Sequence, residues 1–207
     1  LQIAIYRYIQ WASMRVNAKI VLVDLGPNLG ALNRAVLGGC DYFITPLSPD
    51  LFSIKGTQNL GDKFLVWHEE WENNLRKWCK PNSDFGDNEL PHGAPKFLGY
   101  VMQQHNIRDT KAGMTKGWNI FGQQVDKAVR TNIVQKLSQI KQCVEKQDYL
   151  LGKIPNLHSL IPYSLNAHKP VYMCGSKEGL TGGHIGKAKE SVKLYDDIIQ
   201  AILGIME

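Results

Sequence analysis

The chain has 207 residues, 43% of them hydrophobic and 21% charged, with a formal net charge of +5. These proportions suit a globular protein that buries its own core, and they exclude a disordered or fibrous chain. No apolar run is long enough to cross a bilayer and no signal peptide opens the chain, so a cytoplasmic protein without membrane partners is expected. The four cysteines, Cys40, Cys79, Cys143 and Cys174, lie far apart without a C-x-x-C pair. That spacing argues against a zinc site or a disulfide framework, and Cys40 is expected to be a small core residue. Lysines are scattered over the C-terminal third, either as a solvated face or as a weak attraction for nucleic acid.

In chain order, residues 1–16 place Ile5, Tyr8, Ile9 and Ala12 at helical spacing. Ile20 to Asp24 is a short, β-branched apolar run that predicts a strand covered on both faces. A Gly26-Pro27-Asn28-Leu29-Gly30 turn follows, then a short helix over Ala31 to Leu37 stopped by Gly38-Gly39. Tyr42 to Thr45 predicts the second strand. Ile54 to Trp78 predicts a long amphipathic helix whose stripe includes Trp67, Trp71 and Trp78, read as core aromatics. Lys80 to Pro95 reads as loop, Phe97 to Gln103 as a strand, and His105 to Gly117 as a polar connection. A second long helix is expected over Trp118 to Val144, a short strand near Leu157 to Ile161, and a closing helix over Gly182 to Ile205. Strands alternating with helices predict an α/β fold with a doubly wound, mostly parallel sheet. Ligands then bind beyond the carboxyl ends of the strands, where Asp24, Thr45 and Gln103 are expected to converge.

Asp24 carries the first chemical signal. A carboxylate at the end of a buried strand needs a partner, which a hydrated Mg²⁺ supplies; capping the turn that follows is the alternative use. The second signal is Pro46-Leu47-Ser48-Pro49-Asp50-Leu51-Phe52-Ser53-Ile54-Lys55-Gly56. Its prolines fix an extended exit from a strand, and Asp50 or Ser53 can cap the helix that follows.

The run Val21 to Gly56 resembles the middle of a ParA/MinD-type ATPase, a deviant-Walker branch of the P-loop NTPase fold. The resemblance implies that Asp24 is the Walker B acid on the Mg²⁺ side and that Gly26, Pro27 and Asn28 belong to a switch loop. Phe97 to His105 is similar to the family strand that ends in an adenine-contacting Asn, with Gln103 or Gln104 in its place. Ser159-Leu160-Ile161-Pro162 with Ala167-His168-Lys169-Pro170 is similar to the family's I-P…A…K-P segment, which sets Pro162 beside the base. Two prolines stiffening a loop would explain that segment equally well. The implied ligands are ATP and Mg²⁺. The implied partners are a second subunit in an ATP-dependent homodimer, nonspecific DNA, and a ParB-like protein that stimulates hydrolysis.

The phosphate-binding loop G-x-x-x-x-G-K-[ST] is missing. The nearest string, Gly182-Gly183-His184-Ile185-Gly186-Lys187, has three residues between Gly182 and Gly186 and no following Ser or Thr. It reads as a glycine-rich entry to the last helix. The catalytic residues are therefore expected upstream of Leu1, in a chain of which this is the C-terminal part, and this portion alone is expected to be inactive. Residues 1–207 then form one incomplete ATPase domain with insertions at about 68–95 and 105–147. Two other readings stay open: a nucleotide-free interaction module on the same scaffold, and an ATP-dependent synthetase relative. His68-Glu69-Glu70-Trp71-Glu72 is not H-E-x-x-H, and Asp84-Phe85-Gly86 stands without any other kinase motif.

Overall fold

A computed structural model describes residues 2–26, 28, 30–78, 91–105, 107–109, 113–114 and 116–206. In chain order the elements are α1 (Gln2–Arg15), α2 (Ala31–Leu37), β1 (Tyr42–Leu47), α3 (Leu51–Trp78) and β2 (Lys96–His105). A small pair, β3 (Ile107–Asp109) and β4 (Gly113–Met114), precedes α4 (Lys116–Val129), a π-helical turn (Arg130–Val134) and α5 (Gln135–Gln139). Then come β5 (Leu150–Pro155), α6 (Leu160–Ala167), 3₁₀ turns at Val171–Met173 and Ser176–Glu178, α7 (Gly183–Glu190) and α8 (Val192–Met206). Two units result: Leu1–Phe43, Asn59–Phe97 and Asn132–Val144 make the first, and Ile44–Gln58, Leu98–Thr131 and Glu145–Glu207 the second.

The second unit holds most of a three-stranded parallel sheet in the order β1-β2-β5. Strands β2 and β5 pair from Tyr100 opposite Leu150 to His105 opposite Pro155, with irregularities after Tyr100 and after Gln103. Alternation along β2 sends neighbouring side chains to opposite faces. Val101 packs with Leu151 and with Ile198 of α8, and at Gly152 a Cβ would come within 2.4 Å of Ile198, so α8 needs a glycine there to approach. On the other side Tyr100 donates its hydroxyl to Asp126 of α4 at 3.1 Å. Helices thus cover both faces of the sheet. A separate small core of Leu160, Val171, Cys174, Leu180 and Ala188 joins α6, the 3₁₀ turns and α7.

The first unit is built on aromatic rings. Phe43 stacks on Phe64 at 4.6 Å and tilts against Phe97 at 5.2 Å, and Phe64 meets Trp67 at 5.5 Å. Gly61 of α3 lets the π-helical turn approach, since a Cβ there would overlap the Asn132 carbonyl oxygen.

Several sequence expectations need correction. Ile20 to Asp24 forms no strand. Among the described residues nothing accepts or donates to the backbone between residues 19 and 25, and a strand exists only by such pairing. Among the described residues the main sheet therefore holds three strands, β1, β2 and β5. The polar connection after β2 contains the β3–β4 pair, whose Gly113 and Met114 gave no alternating pattern.

The long helix expected to Val144 stops at Gln139. Gln142 N bonds to Leu137 O and Lys141 N to Ser138 O, with Lys141 at φ 58°. This is a Schellman closure with lysine where glycine is usual, which hides the stop from a sequence reading. The strand placed near Leu157 to Ile161 lies earlier, at Leu150–Pro155, and Leu160 begins a helix instead. The closing helix is two helices broken at Ser191, whose hydroxyl donates to Ala188 O at 2.6 Å. Cys40 is half-buried rather than fully core, with its thiol donating to Val36 O at 3.3 Å. Most of the proposed loop over Lys80 to Pro95 falls outside the described residues.

Candidate functional site

Within the first unit, Asp24, Gly26 and Asn28 are exposed and Pro27 lies outside the described residues. The turn is held from α2. Asn33 Nδ2 donates to Gly26 O at 3.0 Å and to Asn28 O at 2.7 Å, while Asn28 Oδ1 accepts from Gly30 N at 3.0 Å. Asn33 is the residue that sequence reasoning missed. A polar side chain three positions into a short helix carries no sequence signal of the turn it secures. The carbonyls of Gly26 and Asn28 are thereby taken up by Asn33, while the exposed Asp24 carboxylate just before the turn has no partner among the described residues. Mg²⁺ is held by one or two carboxylates together with phosphate oxygens and waters, and Asp24 fits that single-acid role. No group of three His, Cys, Asp or Glu side chains that could hold a metal occurs among the described residues.

Within the second unit, β1 leads into the proline-containing exit and α3. Asp50 Oδ1 accepts from Ser53 N at 2.7 Å, and Ser53 Oγ accepts from Ser48 N at 2.9 Å. Asp50 is thus the cap and Ser53 closes the loop back onto the strand end, a reciprocal arrangement that removes two unpaired amides. Immediately beyond, Leu51 and Phe52 stand 67% and 89% exposed. Gln103 is half-buried near the carboxyl end of β2, opposite Ile154 of β5. Gln104 follows it in the strand, and its side chain lies outside the described part. Pro162 is exposed in the first turn of α6, where a missing N–H breaks no helical bond; it is a helix residue and not part of a stiffened loop. Asp24, Gly26 and Asn28 belong to one unit, and Gln103, Gln104 and Pro162 to the other.

A cleft in the first unit contains none of these residues. It encloses about 60 Å³ beside Arg34, His68, Glu70, Trp71 and Gln142. Arg34 pairs with Glu70 at 2.7 Å. The Gln142 amide, 1% exposed, sits 3.2 Å from His68 Nδ1. The indole N–H of Trp71 is buried without an acceptor among the described residues. Gly93, at φ 67°, leaves room for that indole, since a Cβ would lie 2.2 Å from Nε1.

No protein-family profile and no curated protein matches this chain. Among solved structures, protein DIP2308 from Corynebacterium diphtheriae is similar over 80% of this chain, with a TM-score of 0.53 and 25% identity. The chain spans about half of that protein, 53% of its length. The likeness supports an α/β fold with a parallel sheet flanked by helices, and that protein's name carries no activity.

Proposed function

We propose that residues 1–207 supply the C-terminal portion of a ParA/MinD-type ATPase that dimerises on ATP and binds DNA nonspecifically, in plasmid or chromosome partition or a related positioning task. The observation that carries this reading is the run from β1 to α3. Pro46 to Gly56 leaves a parallel strand at its carboxyl end and enters a long helix through the Asp50–Ser53 cap, as the family resemblance implies. Asp24 is the acid that would face Mg²⁺, and Gln103 is the amide that would face the base. Bound Mg²⁺ would offset the charge of the terminal phosphates. Leu51 and Phe52, exposed at the strand end, give apolar surface to a subunit contact, and the net charge of +5 favours a polyanion.

The test is ATP hydrolysis by the polypeptide as its gene encodes it. Asp24→Ala is expected to lower the rate by about a hundredfold, with the helical circular-dichroism spectrum unchanged. Equal rates for the two proteins would remove Asp24 from the mechanism. DNA affinity is expected to fall as salt rises; binding indifferent to salt and to ATP would count against the DNA assignment. The exposure of Ile20 to Asp24 favours a second reading, an interaction module that uses no nucleotide. Absence of any ATP binding would select it.

A further inference from the structure

The cleft of the first unit holds more hydrogen-bond donors than its own acceptors use. Arg34 carries several N–H groups, and the Glu70 carboxylate accepts from one nitrogen, Nη1, at 2.7 Å. No other acceptor meets Arg34 among the described residues. The Gln142 amide nitrogen can only donate, so His68 Nδ1 accepts from it at 3.2 Å and the neutral ring carries its proton on Nε2. Among the described residues nothing accepts from that Nε2, nor from the buried indole N–H of Trp71. A buried donor without a partner is destabilising unless something fills the place. The remaining walls are apolar, with Leu37, Phe64, Trp67 and Pro95 lining the same cleft. Its volume of about 60 Å³ admits a group of a few non-hydrogen atoms, since one water needs about 10–15 Å³. These walls come from α2, α3, residues 91–95 and Gln142, all in the first unit. One side is fixed just past α2, where Gly93 N donates to Gly38 O at 2.8 Å.

We propose that this cleft binds a carboxylate carried on a short apolar stem. The donors select the class. Indole, imidazole and guanidinium N–H groups all offer protons, and the one imidazole lone pair is already used by Gln142. An ionised carboxylate is acceptor-only, with both oxygens able to take several such bonds. Hydrogen bonds to an ionised acceptor are also the stronger kind, and Arg34 supplies the complementary charge. An ammonium ligand would set donor against donor at every one of these groups. The apolar walls suit the methyl or methylene groups of the stem. Among the described lining residues Glu70 is the only acid. Its side chain is 52% exposed and paired with Arg34, so it opposes an incoming carboxylate without barring it.

The cleft contains none of the residues assigned to nucleotide, and the experiment omits nucleotide and Mg²⁺, so its outcome is separate from that reading. It follows the indole N–H resonances of the ¹⁵N-labelled polypeptide as its gene encodes it, with the Trp71 peak identified by its absence from Trp71→Phe. Sodium propionate at constant ionic strength is expected to move that peak downfield in a saturable way, whereas sodium chloride and the uncharged propionamide leave it in place. Arg34→Gln is expected to weaken propionate by about tenfold or more, and Glu70→Gln to tighten it. Both side chains are partly exposed, so neither substitution disturbs the core. N-acetylaspartyl methylamide presents the same carboxylate from a peptide, and the tighter of the two probes assigns the ligand to a free acid or to an acidic side chain of a partner. A Trp71 peak indifferent to both carboxylates, as for a cleft that holds water only, would overturn the proposal. So would an equal response to propionamide, an affinity unchanged by Arg34→Gln, or weaker binding in Glu70→Gln.

Discussion

Gly93 is where the strictest residue-scale demand falls. Its φ of 67° lies in the left-handed region, and a Cβ would overlap Trp71 at 2.2 Å. Two penalties add at one position, backbone strain and overpacking. Gly93→Ala is therefore expected to cost about 2–4 kcal/mol, read as a lower urea midpoint followed by tryptophan fluorescence. Lys141 presents the opposite case. It occupies the left-handed position of a Schellman closure with its side chain exposed. Lys141→Gly relieves the Cβ penalty at some cost in unfolded-chain entropy, for a net gain of about 0.5–1 kcal/mol. Thermal unfolding of that variant should shift upward, and a downward shift would mean that the lysine side chain contributes something the backbone argument omits.

Among the elements, the link from β2 to α4 carries a pH dependence. Tyr100 is 1% exposed and donates to Asp126, which also accepts from Arg130 Nε at 2.8 Å; Arg130 in turn donates to Gln147 O at 3.0 Å. Burial first, and then the nearby Asp126 carboxylate, push the Tyr100 phenol well above its ordinary range. A raised tyrosine pKa favours folding while the phenol is neutral, and that contribution is lost as pH rises past the unfolded value near 10. Tyr100→Phe is expected to cost about 1–2 kcal/mol at pH 7 and to flatten the loss of stability above about pH 10. Denaturant titrations at pH 7 and above pH 10 check both parts.

How much of each element could be read in advance follows its physics. α2 and its Gly38-Gly39 stop were legible because propensity and termination agree locally. β1, β2 and α3 were legible from apolar pattern alone. The long stripe of Val125, Val129, Ile133 and Leu137 is buried as expected. Its strict spacing of four drifts against 3.6 residues per turn, and the π-helical turn at Arg130–Val134 takes up that drift. Nothing in the residue types announces that turn. Ile20 to Asp24 failed for a different reason. A strand is a property of two segments, and an apolar β-branched run specifies only one of them. At the site, Asp50 was legible as one of two possible caps, whereas Asn33 was not, because its role depends on where α2 meets the turn.

At the scale of the whole molecule, the proposed nucleotide residues are divided between two units, and the acid with the strongest sequence signal is exposed and unpaired among the described residues. An unpaired carboxylate beside a turn secured by Asn33 is available to a cation without first breaking a protein contact. That availability links the local chemistry to the proposed ATP dependence. The most direct measurement is calorimetric titration of ATP into the polypeptide as its gene encodes it, with and without Mg²⁺, for the unaltered protein and Asp24→Ala. The account predicts binding that tightens with Mg²⁺ in the unaltered protein and loses that Mg²⁺ dependence in the variant. Mg²⁺-independent binding in both proteins, or no ATP binding in either, would contradict it.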